Sequence, residues 1–406
     1  MSAQPHCPRA RTRRFALLTA VLIAGSAVLA GCADFAREQP TFTVQPSLTP
    51  PEARPSTEEP SSSSTSPSPS SSSTAPSEEP DPCVPTDPAV IAACLDAPWG
   101  LAVLPDGSAA MVGERTTGRI LQVAPETKPV EFATITGLDS SDGGGLLGLA
   151  LSPSYDEDGL IYAFVTTTTD ARILRLARGQ QPKAIFTGIP RSAGAAGGRI
   201  AFDADRALYV GTGDGGTPAL AKNPKSLAGK ILRLDEFGKP EKSNTSGTAV
   251  FASGFSDVTG MCLLPGGSIG ALDHRRTADV LFAVEEGEDY SGATSGRAMW
   301  TWPHAEGGAS DCAVSGSELA NTSLDGKQLV GLMFAGQTSG GFSGEPQVLL
   351  DDKYGRLLTV TVGRAADTDL YWMTTSNKDG KGEPVPADDR VIVLPAGGGG
   401  GEGGPD

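Results

Sequence analysis

The chain has 406 residues, 20% of them charged and 38% hydrophobic, with 52 glycines, 32 prolines and a formal net charge of −16. An acidic balance of this size excludes nucleic acid as an ordinary partner, because a polyanion is repelled. Abundant glycine, with no helical period of useful length beyond the N-terminal segment, excludes a helical bundle and points to many short strands joined by tight turns.

Taken in chain order, residues 1–31 read as a lipoprotein export signal. Arg9, Arg11, Arg13 and Arg14 precede an apolar run from Phe15 to Leu29, and Leu29-Ala30-Gly31-Cys32 forms a lipobox. The run is shorter than the roughly 20 apolar residues of an ordinary membrane span. On this reading Cys32 is acylated, becomes the mature N-terminus and holds the protein to the bilayer on the extracytoplasmic face of the cell membrane. The Arg13-Arg14 pair leaves the general and twin-arginine export routes both open. Removing residues 1–31 takes away four Arg and no acid, so the mature charge is 28 − 48 = −20. Residues 32–82 are dominated by Ser, Thr, Pro and Glu, with almost nothing to bury. They are expected to form a disordered tether with a reach of about 40 Å.

Residues 83–395 carry a strand, turn, strand pattern that recurs at roughly the 40–60-residue spacing of propeller blades. It starts with Trp99-Gly100-Leu101-Ala102-Val103-Leu104-Pro105-Asp106-Gly107 and Gly118-Arg119-Ile120-Leu121-Gln122-Val123. Further copies begin near Leu147-Gly148-Leu149, Arg199-Ile200-Ala201-Phe202 and Gly260-Met261-Cys262. A fifth contains Leu329 to Phe334, and a sixth runs from Arg356-Leu357-Leu358 to Val391-Ile392-Val393-Leu394. Asp-Gly turns and alternating apolar residues account for these copies, and they speak to fold alone. Residues 396–406 form a Gly-rich tail, expected to be disordered. Asp156-Glu157-Asp158-Gly159 reads as a solvated turn, since it lacks the alternating ligands of a calcium loop.

With Cys7 cleaved away and Cys32 acylated, Cys83, Cys94, Cys262 and Cys312 remain in a compartment where disulfides persist. Four cysteines allow three connectivities. Cys83–Cys94, closing a small loop at the domain entrance, and Cys262–Cys312, stapling neighbouring blades, are favoured. A thiolate metal site is disfavoured because no CxxC occurs.

Three segments, in this order, resemble the soluble quinoprotein glucose/sorbosone dehydrogenase family: Gly197-Gly198-Arg199-Ile200-Ala201-Phe202; Leu208-Tyr209-Val210 with Gly213-Asp214-Gly215-Gly216; and Asn223-Pro224 through Ser226 to Leu234. The resemblance implies an all-β, six-bladed propeller of four-stranded antiparallel blades that oxidises sugars with pyrroloquinoline quinone (PQQ) and calcium. The lipobox, Ser/Pro tether and propeller together are similar to the actinobacterial LppZ-type lipoproteins.

The family's functional positions are altered in this chain. Its general-base His lies four residues before the Arg of the Gly-Gly-Arg element, where this chain has Ala195. A Gln or Glu of the family is replaced by Gly143. The family element G-H-R-N-P-Q-G reads Gly254-Phe255-Ser256-Asp257-Val258-Thr259-Gly260, with Ser256 in place of its Arg. The calcium loop E-H-G-P reads Asp273-His274-Arg275-Arg276, and adjacent cations are poor neighbours for a divalent ion. Gly287-Glu288-Asp289-Tyr290 still matches the family's G-x-N-Y and keeps the register. Losing a general base forfeits about 10²–10⁴ in rate.

The expectation is therefore a catalytically degenerate module with no catalytic residues, no cofactor and no metal, binding an envelope carbohydrate or a protein. Arg199, Asp214, Asp257, Asp273, His274, Arg275 and Arg276 are the candidate channel-mouth residues. The alternative is an active PQQ- and calcium-dependent aldose/sorbosone dehydrogenase with a site rearranged around His274, Arg275 and Arg276. His304 reads as a loop side chain, and Trp300 and Trp302 as packing or channel lining.

Overall fold

Tight turns cut the chain into short strands, and alternation within each strand decides what it packs against. In the computed structural model residues 81–191, 194–292, 297–336 and 341–397 are described. Residues 1–31, Cys32, nearly all of 32–82 and most of 396–406 lie outside them. The described strands form six four-stranded antiparallel sheets arranged as the blades of a propeller. Their innermost strands are Pro98–Val103, Leu146–Leu151, Gly197–Phe202, Val258–Leu263, Asp311–Ser315 and Leu357–Ala365, each packed beside the next and the last beside the first, around a central channel. Small residues permit this approach: a Cβ at Gly148 of blade two would fall 2.1 Å from the Gly198 carbonyl oxygen of blade three.

Blade three shows how period two buries both faces of a sheet. Leu208, Val210 and Leu232 point toward Leu147, Phe164 and Ile173 of blade two. Tyr209 and Ile231, one residue out of phase, point toward Val280 and Phe282 of blade four. The core is thus a set of layers between blades.

The sixth blade has the strand order Val90–Ala92, Val391–Pro395, Thr368–Thr375, Leu357–Ala365. Its outermost strand comes from the beginning of the domain and closes the ring, which the repeat pattern did not reveal. Cys83–Cys94, with Cα atoms 5.3 Å apart, brackets that closing strand, and Cys262–Cys312, at 5.7 Å, joins the innermost strands of blades four and five. Both pairings are those favoured from the sequence. Residues Tyr155–Asp158 form one short helical turn ending in a left-handed Gly159. Among the described residues no helix is long and apolar enough to cross a membrane.

Two buried cations tie segments together. Lys230 is fully buried, and its Nζ donates to the carbonyls of Leu220 at 2.9 Å, Ala221 at 2.6 Å and Ala228 at 2.8 Å. Three N–H groups meet three acceptors, and although burial pushes the ammonium down to about 8, it stays protonated at neutral pH.

Arg199 stands in the channel. Its guanidinium donates to the carbonyls of Thr259 and Trp99 and to the Thr359 hydroxyl, and lies 3.5 Å from the Asp311 carboxylate. Arg199 belongs to blade three, and its partners to blades four, one, six and five. Burial pushes Asp311 up to about 6 against the opposing pull of Arg199.

Replacing Lys230 by Met removes the ammonium from three carbonyls, of which those of Leu220 and Ala221 keep the Asn223 and Gly254 amides while that of Ala228 loses its donor, and should cost about 1–3 kcal/mol, read by denaturant unfolding. Arg199→Met should cost about 3–5 kcal/mol by stranding the Asp311 charge. The sign with pH follows from Asp311: its folded pKa is raised above 3.8, so ionisation costs stability as pH rises from about 4 to about 6. That cost grows without Arg199. The deficit of the variant should therefore be largest above pH 6 and shrink toward pH 5.

Candidate functional site

The loops that lead into the innermost strands converge at one mouth of the channel. Gly143 precedes the first strand of blade two, Gly194 and Ala196 that of blade three, Asp257 that of blade four, Ser310 that of blade five and Arg356 that of blade six. Together with Trp99, Thr259, His274, Asp279, His304, Asp325 and Lys381 they line a cavity of about 460 Å3. A second cavity of about 280 Å3, walled by strand residues such as Gly148, Met261 and Val362, lies along the channel. Arg199 lines both and so divides them.

Blade four supplies the densest chemistry. Its second and third strands, Ile269–His274 and Ala278–Val284, pair so that His274 faces Asp279 across the hairpin end. The nearly buried Asp279 accepts from His274 Nδ1 at 2.6 Å through Oδ1 and from the Ala309 amide at 2.8 Å through Oδ2. His304 follows the fourth strand, stacks on His274 with ring centroids 4.6 Å apart and brings Nε2 to 3.3 Å from Asp279 Oδ1. The hydrogen bond to Asp279 raises the His274 pKa above its usual value. His274, Asp279 and His304 together form a candidate set of metal ligands.

Asp257 accepts from the Gly197 amide at 2.6 Å, and burial pushes its carboxyl up to about 7. Arg356 is held by Asp325 at 2.5 Å and Asp379 at 3.1 Å. Lys381 is exposed at the rim. Two buried polar atoms of the wall, Thr259 Oγ1 and His304 Nε2, make no hydrogen bond within the described residues.

Of the seven candidate residues read from the sequence, Arg199, Asp257 and His274 line this cavity. The other four do not. Asp273 is fully buried and accepts from the amides of Ser256 and Asp257, both at 2.8 Å, so it shapes the loop from behind. Arg275 turns inward to Asp273 at 2.7 Å and to the Tyr290 carbonyl at 2.7 Å, over the Phe282 ring. Asp214 closes its own turn by accepting from the Gly216 amide at 2.7 Å, and Arg276 is exposed. Gly143 lines the cavity, and Ala195 sits between the lining residues Gly194 and Ala196. Asp279 and Arg356 were not singled out; the only local signal for Asp279 was a charged residue opening the apolar strand Val280-Leu281-Phe282.

Residues 95–305, or 211 of 406, match the family model described as Glucose / Sorbosone dehydrogenase. Among solved structures, the PQQ-bound aldose sugar dehydrogenase of Streptomyces coelicolor is 34% identical with a TM-score of 0.69, covering 75% of this chain and 95% of that one. A putative oxidoreductase (glucose dehydrogenase) of Thermus thermophilus is 30% identical with a TM-score of 0.67, covering 75% and 98%. An uncharacterized protein of Synechocystis is 28% identical over 231 residues, 48% of this chain, and the chain spans only 56% of that relative's length. The match across more than half the chain, on a six-bladed scaffold whose motif-bearing loops meet at one mouth, establishes that this chain belongs to the glucose/sorbosone dehydrogenase family.

Proposed function

We propose that this propeller binds an envelope carbohydrate at the channel mouth without redox turnover, and that acylated Cys32 and the 32–82 segment hold it to the outer face of the cell membrane. The observation that carries the reading is the cavity wall: donors and acceptors of both signs beside Trp99, with the buried Thr259 hydroxyl making no hydrogen bond among the described residues. Buried polar atoms of this kind call for a polar occupant. A protein partner presenting polar groups to the same mouth is the second occupant of this class.

The residues present do not fit the family's quinone in the family's manner. That cofactor is a tricarboxylate and needs cations around it, whereas Asp257, Asp279 and Asp325 face the cavity and Lys381 at the rim is the lining cation with no carboxylate partner among the described residues. The lining guanidiniums of Arg199 and Arg356 are already engaged, and Arg275 is turned inward. At the base position Ala195 offers no proton acceptor, and both lining imidazoles are drawn to one carboxylate, Asp279. The rival reading, an active dehydrogenase, draws on His274, which does face the cavity.

The full chain should bind envelope-derived oligosaccharide in calorimetric titration, and Asp257→Asn or Lys381→Ala should weaken binding about tenfold. Supplied with PQQ, Ca2+ and an electron-accepting dye, it should not oxidise aldoses; dye reduction abolished in His274→Ala would establish the dehydrogenase reading instead. Cys32→Ala should move the protein from the membrane fraction to the medium, and retention of that variant on the membrane would remove the lipid anchor from the account.

A further inference from the structure

Three side chains from three successive parts of blade four meet at one point of the cavity wall. His274 ends the second strand, Asp279 opens the third and His304 leaves the fourth. Their ligating atoms all lie within 4.8 Å of one another, with the closest approaches at 2.6 and 3.3 Å. Ligands about 2.0–2.1 Å from a tetrahedral ion stand roughly 3.3 Å apart, so the present spacings bracket what such an ion needs. We infer that His274, Asp279 and His304 form a site for a divalent transition-metal ion of the Zn2+ class, open to the cavity.

The donor set selects the ion. Two imidazole nitrogens and one carboxylate oxygen suit Zn2+ and its first-row neighbours, whereas Ca2+ takes six to eight oxygens. Asp279 is already oriented for ligation, because the Ala309 amide holds Oδ2 and leaves Oδ1 toward both imidazoles. A Cβ at Gly308 would fall 2.4 Å from Oδ2, so the backbone is packed against the carboxylate and fixes its rotamer. His274 and His304 both line the cavity and are partly exposed. His304 Nε2 has no hydrogen bond to lose. On binding, the proton between His274 Nδ1 and Asp279 leaves to solvent and the metal takes its place between the two atoms. Three protein ligands leave at least one coordination position facing the cavity, where a hydroxyl or carboxylate of an occupant can bind. The site stands on these three residues whatever fills the rest of the cavity.

The test uses the untagged full chain, stripped with chelator, in which His6 is the one other histidine. Titration with Zn2+, and with Co2+ as a coloured probe, should show one equivalent bound with the visible bands of a low-coordinate nitrogen and oxygen site. Zn2+ should raise the thermal midpoint, and Ca2+ should not. His274→Ala and His304→Ala should each weaken binding by at least about tenfold while leaving the metal-free midpoint near that of the wild type. Asp279→Asn serves as a third variant, judged by the Co2+ spectrum. Absence of stoichiometric Zn2+ or Co2+ binding, binding unchanged in the double variant, or stabilisation by Ca2+ alone would each overturn the inference. The metal readout needs no carbohydrate, so its failure is distinguishable from failure of oligosaccharide binding.

Discussion

One guanidinium holds the ring to its axis. Each blade is satisfied within itself and against its neighbours, so nothing in the sheets alone determines what the six innermost strands do where they face the channel. Arg199 answers this by reaching from blade three to groups of blades one, four, five and six. Its charge is matched by the buried Asp311 and its remaining N–H groups by carbonyls and a hydroxyl. An isolated buried guanidinium would be prohibitive, but a fully hydrogen-bonded one converts the cost of burial into geometric specificity. It also closes the floor of the mouth cavity, so the residue that organises the scaffold bounds the candidate site.

The scaffold was legible in the sequence because its signals are local. Turn residues and period-two runs announced the blades, and the Gly197–Phe202, Leu208–Thr212 and Lys230–Leu234 strands lie close to where those runs fall. The cysteine pairing was one of three the sequence left open, and the favoured one is the one formed. Closure of the ring by Val90–Ala92 was hidden, because three residues carry no periodicity and their partners lie some three hundred residues away. The site was legible only in part for the same reason. Motif comparison located the loops, and Asp257 and His274 with them, but whether a side chain faces the cavity or the framework depends on contacts across the hairpin. Asp273 and Arg275 flank His274 and share its loop, yet both are consumed in holding it.

The mouth combines small residues with a polar cluster on one blade. Gly143 and Ala196 line it, while Asp279 and His304, at adjacent strands of blade four, bring a carboxylate and an imidazole beside His274. The register of the hairpin between His274 and Asp279 sets imidazole against carboxylate. In a propeller, blade cores and mouth loops are separate populations of residues, so substitutions in one leave the packing of the other intact.

The disulfide at the entrance has a mechanical meaning. The strand that closes the ring lies between Cys83 and Cys94, and a tension arriving from the N-terminal side enters the domain at Cys83. The covalent bridge carries that force directly to Cys94 and onward into blade one, so residues 84–93 sit on an unloaded branch. The seam of the ring is thereby shunted out of the load path, and a pull on the N-terminal side strains a bond between sulfurs instead of a ladder of hydrogen bonds.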